Sequence, residues 1–276
     1  MHKVKTLAKY ALAAAAFAAA WLPLYWLLTI ALKRDLDQFA DPPLWFAFTP
    51  TLEHFREAFL VRNFSGYFLN SFIVVTVSTL ASLAFGIPAA YALARFEWPN
   101  NLGGRISFWI LSTRMLPPIV TVVPMFLMLR DARLLNSPLA LIIMYTAFNL
   151  PFTIWMLRGF FEETPREIEE AAMLDGESRW GALIRVVLPL AAPGIAATAI
   201  FCAIAGWNEF LFALVFTQTD ASITLPVGIA ARVTQYEIKW GVMSAAGAAA
   251  MAPILLFAAL AQKYLVRGLS LGAVKG

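Results

Sequence analysis

Charge is scarce in this chain of 276 residues: Asp, Glu, Lys and Arg make up 14%, against 61% apolar residues. A soluble domain carries about a quarter charged residues, so composition excludes a water-soluble globule. The mean hydropathy of +0.71 agrees with an integral membrane protein. Cysteine is nearly absent. The single Cys202 lies in an apolar run and has no partner for an intrachain disulfide, so it reads as a small buried apolar residue. The two histidines, His2 and His54, lie far apart and no Cys/His cluster exists, which leaves no metal site to propose. The phosphate-cradling G-x-x-x-x-G-K-[ST] loop is missing, which excludes ATP hydrolysis by that route. No nucleophile elbow and no paired catalytic carboxylates stand out, so the chain reads as a non-enzyme. Its net charge of +4 is no nucleic-acid signal, and no internal repeat is visible.

Long apolar runs fill the rest. Crossing a bilayer as a helix takes about 20 apolar residues. Residues 10–32 meet that length behind Lys3, Lys5 and Lys9. Ala18-x-Ala20 mimics a signal-peptide cleavage site, but the run has span length and is read as a retained first helix. Further spans are expected over 67–94, kinked at Gly86 and Pro88; over 106–129, with Pro117, Pro118 and Pro124 inside; over 138–160, interrupted at Pro151; over 190–216, with Pro193 near its start; and over 241–266, where residues 244–248 are all small. A short amphipathic helix capped by Thr51 is expected over 52–60. The expectation is an all-α integral membrane protein of about six transmembrane helices, one domain over 1–276 with its core spans at 67–266.

An even number of spans puts both termini on one side. Lys3, Lys5, Lys9, Arg95, Arg105, Arg158, Arg166, Arg179, Arg185, Lys263, Arg267 and Lys275 fall on that side. Lys33, Arg34, Arg56, Arg62, Arg130, Arg133, Arg232 and Lys239 fall on the other. The modest bias favours cytoplasmic termini.

The polar stretch 161–189 is the organising element. Thr164, Pro165 and Glu167 have the spacing of a capping box with proline at the first helical position. A helix then reaches Asp175 and is closed by Gly176. Ser178 is placed to cap a second helix, whose Trp180, Leu183, Ile184 and Val187 repeat at helical spacing. In the first helix Ile168, Ala171, Ala172 and Asp175 share a shallow face among acidic side chains, as a docking surface would. An ordinary helical loop accounts for the same pattern.

Polar residues inside spans are costly and mark pathways by default. Arg114 is expected about a third of the way across the third span, Tyr145 and Asn149 beside Pro151 in the fourth, and Trp207, Asn208 and Glu209 in the outer half of the fifth. Aromatic faces with amides and carboxylates suit a neutral polyhydroxyl ligand. Helix-joining contacts are the alternative.

The residues Glu170-Ala171-Ala172, three more, Gly176, nine more, then Val186-x-Leu188-Pro189 resemble the EAA loop of ABC-importer permeases, with valine where the family usually has isoleucine. Trp207 to Leu211 and the tail from Val266 to Gly276 are similar to carbohydrate-type members related to the maltose-system subunit MalG. The resemblance covers essentially the whole chain and implies a type I importer fold. It implies a permease subunit that moves a carbohydrate or polyol inward by alternating access. It implies ATP and Mg bound by a separate ATPase homodimer, a homologous second permease, an extracytoplasmic solute-binding protein, and residence among the lipids of a bacterial inner membrane. It assigns ATPase coupling to Glu169, Glu170, Ala171, Ala172, Asp175, Gly176, Leu188 and Pro189, and a further ATPase contact to Ala273, Val274, Lys275 and Gly276 in the tail 267–276. Other readings are a permease for an amino acid, phosphate or metal, or a scaffold or channel not coupled to ATP.

Overall fold

The computed structural model describes residues 2–231 and 238–272. In chain order the helices are α1 (His2–Leu32), α2 (Asp35–Gln38), α3 (Glu53–Arg56, continued by a π turn at Glu57–Val61), α4 (Phe64–Arg95), α5 (Leu102–Thr113), α6 (Pro118–Asp131), α7 (Pro138–Glu163), α8 (Arg166–Leu174), α9 (Arg179–Ala182, continued by a π turn at Leu183–Val187), α10 (Leu188–Leu190), α11 (Ala192–Trp207), α12 (Leu211–Phe216), α13 (Leu225–Ala230) and α14 (Trp240–Gly272). Among the described residues, four continuous helices are long and apolar enough to cross a membrane, at Lys9–Leu32, Phe64–Arg95, Pro138–Glu163 and Trp240–Leu260. Two bent pairs complete up to six spans.

The bends correct two expectations. The run 106–129 is not one helix: α5, with the short 3-10 turn before it, meets α6 at 87°. Pro117 and Pro118 are adjacent, and Pro117 is driven to extended backbone (φ −58°, ψ 129°) by the ring that follows it. The run 190–216 is likewise divided. α9–α10 meets α11 at 76°, and α11 ends at Trp207, with three residues between it and the start of α12 at Leu211. Conversely, α7 passes through Pro151 without a break. A proline removes one helical hydrogen bond, and the turns around this one remain helical.

The chain divides into two compact units. The first is Met1–Phe68 with Leu225–Ala252. Its loop after α1 closes where the Thr51 amide donates to the Leu32 carbonyl at 2.8 Å. The helix expected from 52 begins at Glu53 with Leu52 at the N-cap position, so Thr51 is not its cap; the Thr51 hydroxyl accepts the Glu53 amide at 3.2 Å and shapes the turn just before it. His54 is buried and donates from Nε2 to the Lys33 carbonyl at 2.8 Å. Lys33 itself is 0% exposed, its ammonium 4.2 Å from the Trp26 ring centre and 5.4 Å from that of Phe48, with no hydrogen-bond partner. Burial lowers its pKa from the usual lysine value, against the opposing pull of Asp37. A cation capped by aromatic rings is a different object from a solvated lysine, which is why Lys33 fits poorly into a count of loop charges. Glu57 accepts from Arg62 at 2.8 Å and from Lys239 at 3.0 Å. Burial pushes its carboxyl pKa up, but the two cations outweigh that and hold it below its ordinary value.

The second unit is Leu69–Thr224 with Pro253–Gly276. A buried cluster of Ala90, Tyr91, Ala94, Ile154, Leu157, Phe161, Leu183 and Val187 joins the end of α4 to α7 and the π turn after α9. Helix approach is close where side chains are small. A Cβ at Gly194 would stand 2.3–2.6 Å from the Phe160 ring, and one at Gly86 would stand 2.5 Å from Thr153 Cγ2. Outward-facing Phe72, Leu80 and Phe85 on α4, and Phe108, Trp109, Val120 and Val123 on α5 and α6, are exposed. On α4, a helix of span length, such side chains are suited to acyl chains.

Candidate functional site

The helix pair in 164–189 forms, with one cap as expected and one not. Thr164 does not make the capping box. It closes α7 instead: its amide donates to the Phe161 carbonyl at 3.3 Å and its hydroxyl to the Phe160 carbonyl at 3.1 Å. The preceding helix competes for that side chain and wins. At the other end of α8 the glycine closure is complete. Gly176 has φ +98°, its amide donates to the Met173 carbonyl at 3.2 Å, and Glu177 donates to the Ala172 carbonyl at 3.0 Å. Those bonds satisfy carbonyls that a helix end leaves open. Ser178 then caps α9, its hydroxyl accepting the Gly181 amide at 3.1 Å.

The second helix departs from the expected single apolar face. Leu183 and Val187 are buried, whereas Trp180 and Ile184 are 63% and 58% exposed. The π turn at Leu183–Val187 widens the helix just before Pro189, which has no N–H for the Arg185 carbonyl. The widened turn resets which positions face inward.

On α8 the residues Glu170 and Ala171, then Asp175 and Gly176 beyond it, are exposed, with Ile168 and Leu174 beside them at 43% and 89%. Ala172 and Leu188 are half-buried and Pro189 is exposed. Glu169 departs from the coupling set. It is 4% exposed and turned inward. Its carboxylate accepts the Arg95 Nε–H at 2.8 Å and a hydrogen bond from the Tyr91 hydroxyl. Arg95 also donates to the Thr164 carbonyl at 2.9 Å, and Arg166 donates to the Ala94 carbonyl at 3.1 Å. Glu169 therefore fixes α8 onto α4 and is not part of the outer face. The sequence placed Arg95 only among the charges on the side of the termini and did not single out Tyr91, because their shared partner lies 74 and 78 residues away. Next to this joint lies a polar cavity of about 320 Å³, bordered by Glu97, Glu170 and Arg179.

The expected pathway residues separate into two groups. Tyr145, Asn149 and Trp207 are buried within the chain at 3%, 4% and 2% exposure. The Asn149 amide donates to the Cys202 carbonyl at 3.4 Å, linking α7 to α11. Glu209 is committed three times over: it accepts the Tyr145 hydroxyl at 2.8 Å and the Phe212 and Ala213 amides at 2.9 and 3.2 Å. From the position before the N-cap Phe210, its carboxylate closes two open amides at the head of α12. Only Arg114 and Asn208 of the expected set are exposed. Arg114 ends α5 at the 87° bend, its guanidinium 5.0 Å from the Phe152 ring centre. The Asn208 amide donates to the Ile204 carbonyl at 2.8 Å. The tail contacts expected at Ala273, Val274, Lys275 and Gly276 lie outside the described residues.

Known proteins resemble this chain in sequence and fold. Residues 82–271 match the family described as binding-protein-dependent transport system inner membrane component. The chain is 39% identical to the sulfoquinovosyl glycerol transport system permease protein SmoH of Agrobacterium fabrum, covering 92% of this chain and 88% of that one. It is 38% identical to the diacetylchitobiose uptake system permease protein DasC of Streptomyces coelicolor, and 36% identical to the trehalose/maltose transport system permease protein MalG of Thermococcus litoralis, covering 92% of this chain and 91% of the relative in each case. Among solved structures, a bacterial ABC transporter involved in import of the acidic polysaccharide alginate superposes with a TM-score of 0.76 at 22% identity, over 95% of this chain and 96% of that one, which establishes a shared fold. The chain belongs to the binding-protein-dependent transport system inner membrane components, as a multi-pass, non-catalytic permease subunit.

Proposed function

We propose that this permease carries a carbohydrate or polyol into the cytoplasm as one half of an ATP-driven importer. The observation that carries the reading is the α8–Gly176–α9 element: a short helix with a clear outer face, closed by glycine and set between two membrane helices, in a chain whose relatives are permeases named for sulfoquinovosyl glycerol, diacetylchitobiose and trehalose/maltose. The partners are a homologous second permease, a homodimeric ATPase that binds ATP and Mg, and an extracytoplasmic solute-binding protein. Both termini are cytoplasmic. Glu170, Ala171, Ala172, Asp175 and Gly176 form the surface that rides in a cleft of the ATPase, with Leu188 and Pro189 seating the second helix. The outer face combines carboxylates with Ile168 and Leu174, so basic groups and an apolar rim on the ATPase complement it. ATP binding closes the ATPase pair and tilts the spans outward; hydrolysis resets them. Of the pathway residues, Arg114 and Asn208 are the ones free to meet solute; Tyr145, Asn149, Trp207 and Glu209 hold the helices that line the route.

The test is reconstitution of the tagged chain with its co-purifying partners, followed by ATP-dependent uptake of labelled sugars and polyols. Glu170→Lys reverses charge on the docking face and is expected to abolish uptake and release the ATPase while the chain stays in the membrane. Full uptake by that variant, or a wild-type chain that purifies without any ATPase, would overturn the reading.

A further inference from the structure

Helix α8 joins its neighbours along two covalent routes, back into α7 and onward through α9 towards α11. A third connection is non-covalent and reaches a helix far away in the chain. Tyr91 and Arg95, in the last turns of α4, bond to Glu169 across 78 and 74 residues of sequence. We propose that Tyr91, Arg95 and Glu169 form a clamp that makes the end of α4 move with α8, so that force applied to the outer face of α8 enters the α4 span directly; this rests on the importer reading above.

The geometry supports a stiff link. The Arg95 guanidinium holds two points at once, the Glu169 carboxylate at 2.8 Å and the Thr164 carbonyl at 2.9 Å, so it spans the start of α8. A planar fork bound at two points fixes orientation as well as distance. Arg166 returns the contact from α8 to the Ala94 carbonyl at 3.1 Å, so the two helices hold each other. The side chains of Arg95 and Glu169 are 4% and 6% exposed, which keeps water from competing for the bonds. Separating them would leave a buried charge without a partner. An apolar contact in the same place would allow α8 to slide along α4, whereas the paired charges set one register. The clamp lies on the inner face of α8, with Ala171 and Leu174 exposed on the far side. Tyr91, Arg95 and Glu169 are positioning residues: none is placed to touch solute or nucleotide.

The experiment uses the assembled transporter in proteoliposomes and reads solute moved per ATP hydrolysed. Arg95→Met with Glu169→Met removes both charges together and leaves neither charge unpaired, though it frees the Thr164 carbonyl and the Tyr91 hydroxyl. Assembly and ATP hydrolysis are expected to persist while solute moved per ATP falls at least about fivefold, the size of an ordinary coupling energy. Tyr91→Phe, which removes one hydroxyl, is expected to lower the same ratio less, with assembly unchanged. A double variant that transports at the wild-type ratio would overturn the clamp. So would a double variant that fails to assemble while Tyr91→Phe keeps the wild-type ratio, since the pair would then only hold the fold. Wild-type protein lacking ATP-dependent uptake would instead defeat the importer reading itself.

Discussion

Substituting Gly176 tests whether the turn between α8 and α9 is held by backbone conformation or by side-chain space. Gly176 sits at φ +98°, and no atom lies within 4 Å of where its Cβ would stand. Neighbouring atoms therefore add no clash, and the whole cost is local. An L-residue in the left-handed region costs roughly 1–2 kcal/mol, and a β-branched one costs more. Asparagine tolerates that region and should cost least. Since about 1.4 kcal/mol is a tenfold change in an equilibrium constant, alanine should shift the ratio of native to non-native turn by roughly five- to thirtyfold. The two bonds from Gly176 and Glu177 back into α8 would be lost with it. The assay is ATP-dependent uptake and ATPase recovered per tagged chain for Gly176→Asn, Gly176→Ala and Gly176→Val, with membrane level of the chain as control. Impairment should rise in that order. Wild-type uptake by the valine variant would refute the reasoning, and so would an asparagine variant as impaired as valine, because side-chain volume and not φ would then decide.

Three further outcomes follow from the packing and the charges. Gly194→Ala drives a Cβ into the Phe160 ring and should destabilise the second unit by about 1–3 kcal/mol, read as a lower Tm in detergent; adding Phe160→Ala should recover part of the loss. Glu209→Ala removes the carboxylate that closes the head of α12 and should cost about 0.5–2 kcal/mol, as loss of a helix cap does; a variant with unchanged Tm but weakened solute binding would return Glu209 to the pathway. Glu57, with its pKa held below the ordinary value by Arg62 and Lys239, contributes stability that is fully present above the unfolded carboxylate pKa and is lost as pH falls through the folded one. Thermal unfolding of the wild type should therefore weaken on acidification below the usual carboxylate range, and Glu57→Gln should flatten that dependence.

The clamp and the head of α12 show the same behaviour of carboxylates. Glu169 and Glu209 sit among residues that read as docking or pathway groups, yet each is fully engaged inside the protein. Their neighbours Glu170 and Asn208 remain exposed. On α8 one residue of rotation separates the two roles, since adjacent positions lie about 100° apart on a helix of 3.6 residues per turn.

Composition and periodicity alone determined the all-helical membrane class, the positions of the apolar runs, the glycine closure at Gly176 and the serine cap at Ser178. These are local properties: apolar length, a residue free to take positive φ, and a hydroxyl one turn from an open amide. The motif spacing in 170–189 was enough to indicate the family, because it is fixed along the chain. What the tertiary structure decided is which of several competing partners each polar group takes and which prolines break a helix. Thr164 chose α7 over α8, Glu169 turned to Arg95, and Glu209 turned to Tyr145 and α12. Pro117–Pro118 broke a span while Pro151 did not, since adjacent prolines force one of the pair into extended backbone and a single ring within a packed helix removes only one bond. The choices of Glu169 and Glu209 rest on which groups meet across 64 to 78 residues of chain, and no periodicity carries that information.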